Sequence, residues 1–556
     1  MDFQRIFLFL IFSFSLFFIW EGWQRENQPI PEINSKAVAP NPGEVPEIRI
    51  KQSTPSISVT AQTNIQTGET ITVLTDYLRV EVNKIGGDIR RIEFLKHFDT
   101  ADKNKPFVLF QQDNDHTYIA QSGLLGHGLP NHNTLFMSKF NRYELTDGAD
   151  SIELKLTDVE NTTTKVSKKF LFHRSSYLIE VSFEIENLGN SNIKSSAYFQ
   201  LVRDDTDPAG GTKFVPTYTG PAIYTEHDKF QKIDFKSLAK KSAVLPKPTD
   251  NGWVGMLQHY FVAAWLPTSN IEREFYAKQL NDKLFSVGLI LPVTDVEPGK
   301  IGSISIPLYV GPAQSSLDKV APGLGLTVDY GFLTIIAKPI FWLLTLIHGM
   351  VQNWGLAIIL LTILIKLAFF PLSAASYRSM AKMRVVAPKL AKIKEQFSDD
   401  RERLNRAMME LYKTEKINPL GGCLPVVIQI PVFISLYWSI LASVEMRYAP
   451  FIGWITDLSQ PDVLFSIPFG NSFFGIGLLP IIMGVSMFLQ SKLNPTPPDP
   501  MQAKLMQIMP IAFSFIFFFF PAGLVLYSVV NNVLSIAQQW FITRSIEAAA
   551  KGVAKV

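Results

Sequence analysis

The segment WGLAIILLTILIKLAFFP, residues 354–371, contains a single charged side chain, that of Lys366. An apolar run of about 20 residues is long enough to cross the hydrocarbon core of a bilayer as a helix. A lysine inside a span costs roughly 2.5–3.5 kcal/mol, so it must face a wet cavity, find a partner or extend its amine to the headgroups. The segment therefore predicts a membrane-spanning helix, with Lys366 as the first candidate functional residue.

Further apolar runs lie on both sides of this segment. Residues 1–23 contain a run that ends in the bulky Trp20 and Trp23 instead of a small-residue cleavage site, which predicts an uncleaved transmembrane anchor. Residues 323–353 include an apolar stretch interrupted by a lysine and a proline, which predicts an interfacial helix on the outer face of the membrane. Four more runs of spanning length complete a prediction of six transmembrane helices, at about residues 420–444, 473–489, 505–520 and 523–542.

The basic loop at residues 372–417 sets the orientation of these helices. It carries 11 Lys or Arg against 6 Asp or Glu, and the positive-inside rule places such a loop in the cytoplasm. Because Arg5 places the N-terminus there as well, an even number of spans precedes the loop. The region between the first two spans is then periplasmic in a bacterium, and both termini are cytoplasmic, including the tail at residues 546–556.

The same loop carries two amphipathic stripes. Met383, Val386 and Leu390 follow helical spacing, and an equivalent stripe resumes at residues 404–411 after a polar turn. These stripes predict an antiparallel helical hairpin within residues 372–417. The positive-inside rule is one explanation of its basic surface. Docking of a ribosome, a nascent chain or acidic lipids is a second interpretation, and the two are compatible. The candidate docking residues are Arg378, Lys382, Arg384, Lys389 and Lys392.

The region outside the membrane has two parts. Residues 24–66 are rich in proline and small polar residues, which predicts an extended, mobile tether. Residues 67–322 contain many short alternating segments between Gly, Pro and Asn turns, which predicts an antiparallel β-sandwich. His116, His127 and His132 could mark a site there, although scattered surface histidines are the simpler interpretation. The clearest strand patterns lie at residues 71–74, 78–82, 151–156 and 178–185.

Composition narrows the classes of function. Of 556 residues, 47% are hydrophobic and only 18% are charged, below the roughly 25% that is usual in soluble domains. The net charge of +3 offers no argument for sequence-specific binding of nucleic acid. Cys423 is the only cysteine, which excludes an intramolecular disulfide and a cysteine-cluster metal site. The sequence contains no phosphate loop, HExxH pair or GxSxG elbow, so no cofactor, metal or enzymatic activity is expected.

Polar residues near Lys366 suggest how a lysine could be tolerated in a span. Thr362 lies one helical turn away on the same face, and Gln429 and Ser528 could line the same space, as could Ser435, Asn531 and Asn532. A hydrated cavity open to the cytoplasm and extension of the amine to the headgroups both remain possible. A small-solute transporter and a membrane-anchored periplasmic carbohydrate-binding protein are the alternatives to a cavity that receives protein segments.

Five motifs in order carry a resemblance to a known family. They are YRSMAKM at residues 377–383, NPLGGCLP at 418–425, QIPVF at 429–433, DPMQ at 499–502 and FPAGLVLY at 520–527. Together they closely resemble the YidC/Oxa/Alb family of membrane protein insertases, in the form found in Gram-negative bacteria. The resemblance covers residues 325–545 in motif and essentially the whole chain in layout.

The resemblance implies a function and a fold. It implies an insertase and chaperone of inner-membrane proteins, acting alone or beside the Sec translocon, with SecYEG and the accessory SecDF as partners. Nascent inner-membrane proteins, the ribosome with the signal recognition pathway, and membrane lipids are the other expected partners. The implied fold has six transmembrane helices, with a five-helix core at residues 354–545 around a hydrophilic groove, and a periplasmic β-supersandwich.

The resemblance also implies roles for single residues. Lys366 stands where the family usually has an arginine, so the charge is kept while the planar fork of donors is lost. Thr362 and Tyr527 match groove-lining positions, and Ser528 stands where a second aromatic residue is expected. Phe433 matches a hydrophobic path along which the substrate helix leaves. Ile430 and Met509 are assigned to the same path.

Overall fold

The protein is described here from a computed structural model, in which the chain forms two compact units. The first unit ends at Pro312 and takes in residues 316–326, and the second contains residues 313–315 and continues from Thr327. The predicted anchor and tether lie outside the described residues. The structure describes residues 68–99, 102–113, 115–158, 163–208, 218–268, 270–397, 400–415, 424–469, 472–494 and 500–553.

The first unit is built almost entirely of β-strands. Among its described residues there are eighteen strands and one short α-helix, α1, at Phe235–Ala239. The strands are β1 (Thr70–Leu74), β2 (Leu78–Asn83), β3 (Ile89–Phe98), β4 (Pro106–Gln112), β5 (Thr117–Leu125), β6 (Phe136–Ser138), β7 (Arg142–Glu144), β8 (Ser151–Asp158), β9 (Thr164–His173), β10 (Leu178–Asn187), β11 (Ile193–Asp204), β12 (Thr219–Thr225), β13 (Lys229–Lys232), β14 (Trp253–Gln258), β15 (Phe261–Trp265), β16 (Glu274–Gln279), β17 (Leu284–Val296) and β18 (Ile301–Pro312).

These strands form two nine-stranded sheets. The first has the order β16-β17-β11-β5-β4-β3-β2-β1-β7, and the second has the order β13-β12-β14-β15-β18-β10-β9-β8-β6. Pairing is antiparallel except between β1 and β7, where Val73 lies opposite Tyr143 in a parallel register. The strands predicted at residues 71–74, 78–82, 151–156 and 178–185 are confirmed as parts of β1, β2, β8 and β10.

Alternating apolar side chains place the core between the sheets. In β10, Ile179, Val181 and Phe183 are buried, while the residues between them are half-exposed, as a period of two requires. Aromatic side chains of the two sheets then meet, since the rings of Phe199 on β11 and Trp265 on β15 lie 5.0 Å apart. The apolar faces of the two sheets are therefore buried against each other.

A buried polar network crosses this core. Lys168 on β9 donates to the carbonyl oxygens of Gly86, at 2.8 Å, and Ser122 on β5, at 3.0 Å. Asp88 is also buried and accepts a hydrogen bond from Gln121 at 2.8 Å. Burial raises the pKa of Asp88 to about 6 and lowers the pKa of Lys168 to about 8, although their mutual attraction opposes both shifts. The network therefore ties the second sheet to the first through a charged group.

The three histidines do not share a site. His116 lies 2.7 Å from the carboxylate of Asp204, whereas His127 is exposed. His132 is buried and contacts the hydroxyl of Tyr198. The expectation of scattered surface histidines is therefore wrong for His132, because the sheet folds over the loop that carries it. The three positions contribute to different contacts instead of one binding site.

The second unit is mainly helical. Its described elements are α2 (Thr334–Val351), α3 (Trp354–Ala368), α4 (Phe370–Gln396), α5 (Arg401–Thr414), α6 (Leu424–Ala442), β19 (Phe465–Phe469), β20 (Ser472–Ile476), α7 (Leu478–Leu493), α8 (Pro500–Phe517) and α9 (Ala522–Val553).

Helix α3 begins and ends at identifiable signals. Asn353 caps its N-terminus, because the side-chain oxygen accepts a hydrogen bond from the Leu356 amide at 3.0 Å. The chain bends by 68° at Phe369 between α3 and α4. Pro371, in the first turn of α4, lacks the amide hydrogen that a continuous helix would need. The predicted span therefore continues as a second helix in a new direction.

Length and composition decide which helices of the second unit could span a membrane. Within the described residues, α2 by itself is long and apolar enough to span, and α3 with α4 meets the same criterion only as a bent pair. Shorter apolar segments lie at Ile428–Ala442, Leu478–Leu493 and Gln507–Phe517. These findings concern length and composition alone, so the six spans and the interfacial position of α2 stay predictions.

Helices α4 and α5 pack against each other through the stripes seen in the sequence. Val386 and Leu390 on α4 form a cluster with Met408, Leu411 and Tyr412 on α5. Asp400 begins α5 by accepting hydrogen bonds from two backbone amides of its first turn, at 3.1 and 3.0 Å. The predicted packing of the two stripes is confirmed.

Candidate functional site

Lys366 lies close to the end of α3 and points at α9. Its side chain is 7% exposed, and its Nζ donates to Asn531 Oδ1 at 3.2 Å and to Ser535 Oγ at 2.6 Å. Asn531 and Ser535 are four residues apart, so both lie on one face of α9. The amine thus finds partners inside the protein, and these contacts favour a polar site over an amine that extends to the headgroups.

A third helix joins the same group of side chains. Gln429 on α6 donates to Asn531 Oδ1 at 2.6 Å, and Asn531 returns a bond to Gln429 Oε1 at 3.3 Å. We call Lys366, Gln429, Asn531 and Ser535 the Lys366 cluster. It connects α3, α6 and α9, which are distant in sequence, through neutral acceptors around one ammonium group.

The cluster holds a positive charge without neutralising it. No ion pair of Lys366 occurs in the part of the chain that the structure describes. The hydroxyl of Ser535 donates to the carbonyl of Asn531 at 2.7 Å, so its lone pairs are turned toward the ammonium. A lysine ammonium has three donors, and the two hydrogen bonds to α9 leave one for an acceptor from outside the cluster.

Two predicted groove residues make different contacts. Thr362 donates to the carbonyl of Ile358 at 2.7 Å, and Ser528 donates to the carbonyl of Leu524 at 2.9 Å. Because both hydroxyls bond to their own helix, neither joins the Lys366 cluster by a hydrogen bond. Both side chains are nevertheless buried in the same helical unit.

The residues assigned to the hydrophobic path lie on the outside of this site. The ring of Phe433 on α6 lies 6.5 Å from that of the buried Tyr527 and 6.1 Å from that of Phe517 at the end of α8. Ile430 on α6 and Met509 on α8 are exposed. Aromatic packing therefore connects the predicted groove residue Tyr527 with apolar side chains on the surface of the helical unit.

The five basic residues of the hairpin differ in their surroundings. Arg378, Lys382 and Lys392 are exposed on α4. Lys389 forms an ion pair with Glu415 at 2.6 Å. Arg384 is half-buried and donates to the carbonyl of Lys492 at the end of α7, at 2.9 Å. The structure therefore gives Arg384 a role in holding α4 against α7, and it leaves Arg378, Lys382 and Lys392 exposed.

Sequence reasoning named Asn531 only as a possible lining residue and missed Ser535. The missing signal is the spacing of Ser528, Asn531 and Ser535, which places three polar groups on one face of α9. The neighbouring Asn532 faces away from the cluster, since it donates to Ser486 on α7 at 3.1 Å. Only the fold separates the roles of the two adjacent asparagines.

The chain thus combines a β-rich domain with an apolar helical unit that buries a lysine among neutral acceptors. Comparison with known protein families agrees. Residues 70–343 match the family described as the YidC periplasmic domain, and residues 346–549 match the family described as 60Kd inner membrane protein. The chain belongs to the YidC family of membrane protein insertases.

Curated relatives support this assignment, and two solved structures also align with the chain. The chain is 52% identical to the membrane protein insertase YidC of Nitrosospira multiformis, over 100% of this chain and 99% of that protein. It is 50% identical to the insertase of Dechloromonas aromatica, over 99% of each. A crystal structure of an active YidC insertase aligns over 85% of this chain and 92% of its own, with 19% identity and a TM-score of 0.40. A galactose mutarotase related enzyme from Lactobacillus acidophilus aligns over 43% of this chain and 97% of its own, with 14% identity and a TM-score of 0.30.

Proposed function

We propose that the Lys366 cluster forms the floor of a hydrophilic groove that receives the polar segment of a protein during its insertion into the inner membrane. The observation that carries this proposal is a buried ammonium group surrounded by neutral acceptors. The groove opens to the cytoplasm and to lipid. The layout has six spans, cytoplasmic termini, an interfacial α2 and a periplasmic β-supersandwich.

Such a groove shortens the distance over which a translocating segment must cross hydrocarbon without water. A translocating segment must shed water, and its backbone groups are costly in hydrocarbon. Lys366 attracts an acidic segment as a point charge, without the bidentate grip that an arginine would supply. The membrane potential contributes about 2.3 kcal/mol per charge per 100 mV to the free energy of insertion. Partitioning of the apolar segment into lipid supplies the remaining driving force.

The apolar segment of the client leaves along α6 and α8. Phe433, Ile430 and Met509 supply this path, because aromatic packing beside Tyr527 is continuous with exposed apolar side chains. Thr362 and Ser528 contribute to the groove walls through their position beside the cluster. The client therefore passes from a polar surface to lipid without crossing a closed pore.

The hairpin of α4 and α5 provides the cytoplasmic docking surface. Arg378, Lys382 and Lys392 are exposed and contact a ribosome, a nascent chain or acidic lipid headgroups by charge. Insertion proceeds alone or beside the Sec translocon and its accessory SecDF, with the signal recognition pathway delivering ribosomes. No sequence-specific binding of nucleic acid belongs to this function.

Insertion of two matched clients into inverted vesicles tests the role of Lys366. We expect Lys366→Met to reduce insertion of a single-span client with an acidic tail and to spare the same client with a neutral tail. Lys366→Arg should retain activity, because the charge is preserved. Lys338→Met on α2 is the matched control, since it removes an exposed lysine from another apolar helix.

Crosslinking identifies what Lys366 faces. A photo-reactive residue at position 366 should crosslink to a client that is stalled during synthesis. Crosslinks to lipid alone, together with normal insertion by Lys366→Met, would show that position 366 does not line the groove. The polar path would then lie elsewhere in the helical unit.

A further inference from the structure

The short hairpin of β19 and β20 exposes apolar side chains that the proposed function does not use. Val463 and Leu464, just before β19, and Phe465 within it each expose more than half of their side chains, and Ile467 is 46% exposed. The backbone pairs in regular antiparallel register from Phe465 opposite Ile476 to Phe469 opposite Ser472. We call β19 and β20 the Phe465 hairpin.

An isolated two-stranded hairpin is marginally stable in water, and an exposed apolar strand is an aggregation hazard. The Phe465 hairpin has no third strand among the described residues. No charged side chain occurs between Asp462 and Lys492. Water is therefore a poor environment for this element, and its composition suits contact with apolar material.

The structure fixes the hairpin at one end of a lipid-facing helix. Phe474 on β20 stacks on Phe515 of α8, with ring centroids 5.7 Å apart and an interplanar angle of 14°. It also contacts the rings of Phe518 and Phe519, at 5.5 and 5.8 Å. Phe515 is itself strongly exposed. The apolar surface of α8 thus continues without interruption onto the hairpin.

A second attachment holds the start of the hairpin at the start of α7. Asp462 accepts a hydrogen bond from the Leu479 amide at 2.7 Å and another from the Trp454 indole at 3.1 Å. The ring of Trp454 is partly exposed, and tryptophan is enriched where a membrane meets water. Both attachments place the hairpin at the level where α7 begins and α8 ends.

We propose that the Phe465 hairpin inserts its apolar side chains into the outer leaflet, at the boundary between headgroups and acyl chains. Its partner is therefore the lipid bilayer, and the contact anchors the loop between α6 and α7 at the outer surface. The inference rests on the proposed function in taking α7 and α8 as membrane spans and the loop between α6 and α7 as periplasmic. Continuity with the exposed face of α8 selects lipid as the occupant over a soluble partner.

Spin labels in the full-length protein in lipid bilayers test this proposal. A single label is attached at Ile467→Cys in a Cys423→Ser background, and its collision rates with oxygen and with a water-soluble nickel chelate are compared. Oxygen concentrates in the bilayer and the chelate in water, so we expect oxygen collisions to exceed chelate collisions severalfold. Leu464→Cys, earlier on the same segment, provides a second position if Ile467→Cys fails to fold.

Two controls separate the possible outcomes. Ile511 on α8 is 71% exposed, so a label at Ile511→Cys reports the environment of the proposed span. Ile301 on β18 is 68% exposed, so a label at Ile301→Cys reports an aqueous environment. If the collision rates at Ile467→Cys equal those at Ile301→Cys, while those at Ile511→Cys are typical of lipid, the hairpin proposal alone would be overturned. Water-like behaviour at Ile511→Cys would overturn the span assignment as well. Line broadening at Ile467→Cys that disappears on dilution with lipid would assign the surface to a second copy of the chain.

Discussion

Lys168 in the β-rich unit and Lys366 in the helical unit are both buried, but their partners differ. Lys168 donates to two backbone carbonyls, and the charge of the buried Asp88 attracts it. Among the described residues, Lys366 donates its hydrogen bonds to neutral side chains on the facing helix α9. The first lysine has an internal counter-charge, whereas the second keeps its charge available.

This difference connects burial with function. Rings of Phe170 and Phe183 lie 5.5 and 5.4 Å from the Lys168 ammonium, which completes an apolar enclosure with no access for a ligand. Lys366 lies instead in a helical unit whose neighbouring surfaces expose apolar residues such as Ile430. A buried charge with an internal counter-charge is satisfied within the fold, whereas a buried charge that meets neutral acceptors fits the role proposed for Lys366.

The largest expected effect follows from removing the enclosed lysine. Lys168→Met should destabilise the β-rich unit by about 3–5 kcal/mol, because it leaves two buried carbonyls without their donor and removes one of the two cations that attract the buried Asp88, the other being Arg90. Hydrogen exchange of the β5 and β9 amides in the full-length protein measures this change. Lys169→Met is the matched control: Lys169 pairs with the partly exposed Glu184, so its loss should cost less than about 1 kcal/mol. Equal effects of the two variants would contradict the structural role of Lys168.

A smaller effect should appear as a pH dependence of the same unit. The folded pKa of Asp88, about 6, exceeds its ordinary value of 3.8 because burial disfavours the charged form. The folded state thus binds more protons at Asp88 between these values, so the contribution of Asp88 to stability is fully present below pH 4 and is lost as the pH rises through 6, by up to about 3 kcal/mol. Hydrogen exchange, corrected for its intrinsic pH dependence, should show this slope. Asp88→Asn should remove it, and a slope that persists in this variant would assign the titration to another group.

The smallest expected effect separates two adjacent asparagines on α9. Asn531→Leu removes an acceptor from Lys366 and both bonds to Gln429, so it should lower stability by about 1–3 kcal/mol and reduce insertion of acidic clients. Asn532→Leu breaks the contact with Ser486 and should cost about 0.6 kcal/mol without changing client preference. Thermal unfolding in micelles and vesicle insertion measure the two effects. Identical insertion by both variants would argue against the Lys366 cluster as the groove floor.

Local patterns predicted much of the architecture. The alternation in β10 places Ile179 and Val181 in the core, and the stripe through Val386 and Leu390 predicts the packing of α4 on α5. Each pattern repeats with the period of its own secondary structure, so nearby residues carry the information. The surface position expected for His132 failed because its burial depends on a sheet formed by distant strands.

The candidate site was only partly predictable. Lys366 stands out because a charge in an apolar run is rare and costly, and Gln429 follows from its motif. The pairing of Lys366 with Asn531 and Ser535 joins residues more than 160 positions apart. Such a contact depends on how α3 and α9 pack, and no local pattern specifies it.

The sequence by itself determined which segments are apolar, which loop is basic, where the strands alternate and that one lysine lies inside an apolar segment, because these properties depend on neighbouring residues alone. The tertiary structure decided which buried lysine has a counter-charge, which asparagine faces it, and how the Phe465 hairpin continues the surface of α8. These features arise from packing between distant segments, where the distance between two side chains decides whether a charge is neutralised or remains available.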